Sequence, residues 1–103
     1  MSSYTKKQIY NIIKKLNYML KTRSVDIVLK RKQRNYYGEY KPDTDTIEID
    51  FRRDIIPTLI HECLHKWYPD WCESKVEQHE KHIINSITAK QVKNIMKMLV
   101  TYL

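Results

Sequence analysis

Residues 61 to 65 are His61-Glu62-Cys63-Leu64-His65. On a helix, histidines four apart project from one face a single turn apart, so both imidazoles can reach one metal ion. Glu62 lies about 100° round from His61, bordering the metal without binding it. From there its carboxylate can take a proton from a metal-bound water, which the metal has already acidified. A metal that does chemistry needs a third protein ligand and one open position. Downstream donors are Asp70, Glu73, Glu77, His79, Glu80 and His82. The apolar stripe Val76, Ile83, Ile84 and Ile87 marks the buried face of the helix that carries them. Glu73, Glu77 and Glu80 lie close to that face, whereas His79 and particularly His82 point away. A carboxylate beside a core-facing stripe is costly unless it meets a metal or a donor, which favours Glu73 and Glu77 as ligands. Their i,i+4 spacing suits two roles, one binding the metal and one receiving the second N–H of a ligand imidazole.

The pair His61-Glu62-Cys63-Leu64-His65 and Glu73-Ser74-Lys75-Val76-Glu77 resembles the gluzincin branch of zinc metallopeptidases. In element order the chain is similar to the minimal soluble versions called minigluzincins. The resemblance implies zinc held by His61, His65 and Glu73, Glu62 as general base, and Glu77 supporting a ligand imidazole. It implies a peptide or protein substrate, an endopeptidase type of activity, and a terminal segment that could cover the cleft and keep the enzyme latent. It also implies substrate binding along an edge strand, for which the third strand, Thr46 to Phe51, or its hairpin partner is the candidate. Only seven residues separate His65 from Glu73, so a tight turn is required at Tyr68-Pro69-Asp70-Trp71. Larger members use a downstream Tyr or His on the oxyanion; Tyr102, His79 and His82 are available here, and none is placed by the pattern.

The elements that must position these residues are legible in the periodicity. Thr5-Lys6-Lys7-Gln8 has the form of a capping box. Behind it, Ile9, Ile12, Ile13, Leu16, Met19 and Leu20 recur at helical spacing, predicting an amphipathic helix over about 5 to 21. Val25, Ile27 and Leu29 alternate with polar or outward positions as a half-buried strand. Residues 36–40 form a second β-prone run, and 46–51 alternate as a third strand after the turn chemistry of 41–45; strands two and three form an antiparallel hairpin. Asp54 can cap the next helix, with Pro57 in its first turn. That helix bears the histidines and ends near 68–70. A third begins near Cys72, and Thr88-Ala89-Lys90-Gln91 caps a fourth with Val92, Ile95, Met96, Leu99, Val100 and Leu103 as its apolar stripe. The whole is one α+β domain over residues 1–103, of minimal zincin-like order: helix, three-stranded sheet, active-site helix, ligand-bearing helix, C-terminal helix. The last helix packs on the core, covers the cleft or mediates a homodimer, core packing being the leading role. Trp67 and Trp71 flank the turn and close the core beneath the metal or wall a substrate pocket. Cys63, about 200° from His61, faces away from the metal, whereas Cys72 is a less secure case as a competing thiolate.

Composition sets the remaining bounds. With 103 residues, 42% of them hydrophobic and 30% charged, the chain suits a single modest core. No apolar run approaches the roughly 18 residues of a membrane span, the first fifteen residues lack the apolar centre of a signal peptide, and two cysteines make no disulfide framework. These features lead us to expect a soluble, cytoplasmic protein with reduced thiols. The net charge of +7 is uneven: ten of the 19 Lys and Arg residues precede Asn35, where Asp26 is the only acid. Lys30-Arg31-Lys32-Gln33-Arg34 could meet nucleic acid or an anionic surface, or form a solvated exterior. An alternative function is therefore a nucleic-acid- or partner-binding module with a silent zinc site.

Overall fold

A computed structural model describes residues 6–32 and 37–102. The chain runs α1 (Lys6–Thr22), β1 (Asp26–Lys30), β2 (Gly38–Lys41), β3 (Thr46–Asp50), α2 (Ile55–Trp67), α3 (Glu73–Ser86) and α4 (Ala89–Val100). This is the α+β order expected from the periodicity. The proposed capping box at Thr5 and the start of the second β-prone run at Tyr36 lie outside the described residues.

The α1 stripe behaves as its spacing requires: Ile12, Ile13, Leu16, Met19 and Leu20 are buried. The helix stops in a Schellman arrangement, with Ser24 N–H donating to the Met19 carbonyl and Arg23 N–H to that of Leu20. Arg23 takes the left-handed conformation there (φ 52°), a position that favours glycine. Its guanidinium donates to the Thr101 carbonyl at 3.0 Å and lies 4.2 Å from the Tyr102 ring centre, so the strained residue ties the end of α1 to the end of α4.

The sheet has the order β1-β3-β2, with β1 parallel to β3 and β2 antiparallel to it. The expected hairpin of β2 and β3 forms, with Tyr40 opposite Ile47. The chain leaves β1, crosses to the far edge as β2 and returns through the middle as β3. The third strand is thus central and cannot offer an edge to substrate; that position belongs to β2. The centre is also buried on both faces. Ile47 and Ile49 face the helices, and on the other side Glu48 is ringed by Lys32 (2.6 Å), Lys41 (3.1 Å) and Lys30 (3.4 Å). Asp50, fully buried, accepts from the Arg52 side chain and from the backbone N–H groups of Arg52 and Lys32. Buried carboxylates persist only when so paired.

Helix α2 begins after Asp54, whose side chain makes no capping bond. Pro57 falls in the first turn, where a missing N–H costs nothing. Leu59, Ile60, Cys63 and Leu64 bury one face of α2, which packs on β2 and β3 of the sheet and on α3. The tight turn forms as required, with Trp71 N–H donating to the Tyr68 carbonyl and the two rings stacked at 4.1 Å. In α3, Val76 and Ile83 point inward. The capping box at Thr88 and Gln91 is fully made. Ile95 and Leu99 of α4 join the core against α1. No helix is long and apolar enough to cross a membrane.

Candidate metal centre

The exposed half of α2 faces a cavity of about 730 Å³ bounded by β2, α2 and α3. His61 and His65 present their rings to it edge to face, with centroids 4.9 Å apart. Glu73 opens α3 directly opposite. One of its carboxylate oxygens is 2.5 Å from His61 Nε2 and the other 3.2 Å from His65 Nε2. Ligand atoms of His61, His65 and Glu73 all lie within 4.8 Å of one another, and among the described residues they alone form such a group.

His61 is held from behind as well. Its Nδ1 lies 2.7 Å from Glu80 Oε1, which fixes the ring and leaves Nε2 directed at Glu73. Burial works to lower the His61 pKa, but the Glu80 hydrogen bond and the charges of Glu62, Glu73 and Glu80 overcome it and raise it to about 9. The pocket thus favours a positive charge at this point. Two imidazole nitrogens and one carboxylate, open on the cavity side, form a donor set that could hold a metal ion.

Glu62 is 8% exposed. Burial raises its carboxyl pKa, opposed by the neighbouring histidines and by a hydrogen bond from the Tyr40 backbone. That contact exists because β2 runs very close to α2. A Cβ on Gly38 would stand 2.6 Å from Thr58 Cγ2 and 2.7 Å from the Glu48 carbonyl oxygen. Gly38, the only glycine of the chain, is needed for close approach rather than for an unusual φ.

Of the residues singled out in the sequence, the structure brings His61, Glu62, His65, Glu73 and Glu77 to one cavity. Glu73 is more than half exposed, so the reason given for favouring it, relief of a carboxylate beside the core, does not hold: the acids of α3 flank the Val76–Ile83 line and face the open cleft. Glu77 is exposed on the cavity wall, and the bond to an imidazole is made by Glu80 instead. The signal for Glu80 was its spacing of seven from Glu73, which sets both on one side of α3, two turns apart.

The other candidates lie elsewhere. His79 stacks on Trp71 at 4.4 Å, and Tyr102 sits between α1 and α4; neither they nor His82 line the cavity. Trp67 and Trp71 pack against the core and do not wall the pocket. Cys63 is buried, Cys72 is exposed, and both are free. Tyr40 does line the cavity, but its hydroxyl donates to Asp45 at 2.7 Å; burial first, then that bond, pushes its pKa to about 12. No described residue of α4 reaches the cavity, so this helix takes the core-packing role and not that of a cover.

No protein-family model matches the sequence, and no curated protein matches it. Among solved structures, the chain is similar to the metallopeptidase zymogen of Methanocaldococcus jannaschii jannalysin, at 16% identity and a TM-score of 0.46, with 93% of this chain and 97% of that chain covered.

Proposed function

We propose that this protein is a small zinc-dependent metallopeptidase of gluzincin type. The observation that carries the reading is the convergence of Glu73, from α3, on the Nε2 atoms of both α2 histidines. His61, His65 and Glu73 would hold the ion, and Glu80 fixes the His61 tautomer. When bound, zinc supplies Lewis acidity that makes a water nucleophilic near neutral pH and polarises a carbonyl. The remaining roles belong to the protein. Glu62, buried next to the ligands and held by the Tyr40 backbone, takes the proton from the attacking water and passes it to the departing amine. Strand β2 is the sheet edge on the cavity, so an extended substrate lies along Gly38 to Tyr40. Glu77 is assigned to the substrate side of the wall.

The test pairs metal content with proteolysis. Glu62→Gln should keep one equivalent of zinc and lose peptide hydrolysis, while Glu73→Ala should lose the metal. Hydrolysis of a casein-type substrate by Glu62→Gln at the wild-type rate would end the proposal.

A second reading, a nucleic-acid-binding module, draws on α1. Its outward residues include Lys7, Tyr10, Lys14, Tyr18 and Lys21, it contains no acid, and Tyr10 and Tyr18 are 59% and 69% exposed. Such a face suits phosphates and stacked bases. The block at residues 30–34 contributes less than its sequence suggests, because Lys30 and Lys32 are engaged by Glu48 and Glu39. Absence of binding to single-stranded DNA or RNA at low salt would remove this reading.

A further inference from the structure

Strand β2 ends where three elements meet. In the turn after it, residues 42–45, Asp45 takes the left-handed conformation (φ 50°). One oxygen of its carboxylate, Oδ1, accepts from two elements: from the Tyr40 hydroxyl of β2 at 2.7 Å and from the Lys66 ammonium of α2. Lys66 Nζ also stands 5.5 Å from the centre of the Tyr40 ring, within cation–π range. On the other side, the Asp45 carbonyl accepts from the Asp26 N–H at the start of β1, at 3.1 Å. Glycine takes this backbone conformation most readily. An aspartate there is accounted for by what its side chain reaches.

The strand tied in this way carries the N–H that meets Glu62. Asp50 N–H donates to the Tyr37 carbonyl at 2.8 Å, and the β2–β3 register continues that pairing. Bonded and non-bonded pairs alternate along an antiparallel ladder. Glu39 and Lys41 therefore turn their N–H groups to β3, while Gly38 and Tyr40 turn theirs to the open edge. The Tyr40 N–H donates there to the Glu62 carboxylate, and Glu62 Cγ would stand 3.5 Å from a Cβ on Gly38. No bond within the sheet fixes this N–H, so its place depends on how β2 sits over α2. At Gly38 close packing on Thr58 sets that distance. At the far end of the strand Asp45 sets it.

We infer that Asp45 is a positioning residue for Glu62: by gathering the Tyr40 hydroxyl and the Lys66 ammonium on one oxygen, it fixes β2 over α2 and keeps the Tyr40 N–H on the Glu62 carboxylate. The role of that carboxylate as a base rests on the peptidase reading; its placement does not. Neither Asp45 nor Lys66 lines the cavity, so the influence passes through Tyr40, which does. The Asp45 side chain is 42% exposed, so its pair with Lys66 adds little to global stability. Its effect is local. Breaking it loosens one end of an edge strand and leaves the central strand paired on both sides.

Amide hydrogen exchange, read residue by residue by NMR on the full chain at one pH, reports the bond between Tyr40 and Glu62 directly. In the wild type the Tyr40 amide should be protected although it faces the open edge, and Glu62→Ala should speed its exchange at least about tenfold. Tyr40→Phe and Asp45→Gly should do the same with the amides of β3 unchanged; the glycine keeps the left-handed turn and removes only the side chain. The two substitutions together should do no more than either alone, because they break one chain of contacts. A Tyr40 amide that is unmoved in Asp45→Gly, or a speeding shared equally by β3, would overturn the inference. Zinc-loaded Asp45→Gly should keep its metal and cleave peptides more slowly than the wild type. Hydrolysis at the full rate by that variant would overturn the inference and leave the peptidase reading intact. The expected exchange pattern in a protein whose wild type hydrolyses nothing would remove the peptidase reading and leave the placement of Glu62 by Asp45 standing.

Discussion

Replacing Glu80 and Glu77 one at a time by glutamine tests which acid supports the metal centre. Glu80 holds His61 Nδ1 at 2.7 Å with both side chains mostly shielded from solvent, at 23% and 17% exposure, so this is a charge-assisted bond little weakened by water. Loss of such a partner typically weakens metal binding about 10- to 100-fold, or roughly 1.4 to 2.8 kcal/mol. Glu77, exposed and unbonded, should change affinity by no more than about twofold. A second effect runs the other way. Glu80 helps to raise the metal-free His61 pKa to about 9, so below that pH the metal must displace a proton. Wild-type affinity therefore falls about tenfold per pH unit below 9, a handicap of about two such steps at pH 7. Glu80→Gln relieves part of that handicap.

The full defect of Glu80→Gln should accordingly appear near pH 9 and shrink at pH 7. Competition with a chromophoric chelator at the two pH values reads both effects. If Glu77→Gln loses metal while Glu80→Gln does not, the support has been assigned to the wrong acid. If the Glu80 defect grows on acidification, the charge balance proposed around His61 is wrong.

Acid should unfold the protein partly through Glu48. The Lys32 hydrogen bond, aided by Lys41 and the lysine charges against the cost of burial, holds its pKa at about 2 instead of 4.5. The folded value is depressed, so this stabilisation is complete above about pH 5 and is lost as pH falls towards 2. It amounts to roughly 1–3 kcal/mol after allowance for the partly exposed lysines, and in urea titrations Glu48→Gln should flatten the decline over that range. Gly38→Ala should cost about 1–3 kcal/mol, because the new methyl meets a backbone oxygen as well as Thr58; an unchanged midpoint would show that β2 can move freely from α2. Thr88→Ala removes the hydroxyl half of a capping box, the acceptor of the Gln91 N–H, and should lower stability by about 1 kcal/mol, read from thermal melts, without altering metal content.

The elements were legible because each follows from local rules. The α1 stripe, the β2–β3 hairpin, the turn before Glu73 and the Thr88 capping box are set by residues within a few positions of one another. What the sequence could not show depends on how distant elements meet. Helix phasing gives the angle of Glu77 and Glu80 round α3, and both lie near the same face. Which of them reaches an imidazole depends on how far along α2 each one stands, a property of the packing of two helices. The reading of β3 as a candidate edge for substrate fails similarly, since the strand is central. Residues 46–51 alternate apolar and polar, yet the polar Glu48 is covered by lysines from β1, from β2 and from the segment after β1. Nothing in residues 46–51 announces that β1 will pair in parallel on the far side.

That arrangement also explains how a +7 chain can hold an acidic cleft. The sheet face turned away from the helices gathers Lys30, Lys32 and Lys41 around one buried glutamate, and α1 sends its other lysines outward. The cavity is lined by β2, α2, α3 and residues flanking them, and its lining includes no residue of α1 and no Lys or Arg. Positive charge is thereby committed to faces from which it cannot compete for the carboxylates around His61 and His65. A metal cation at the centre must then come from outside the chain. Glu73, set between the two imidazoles, already brings the three ligand groups together.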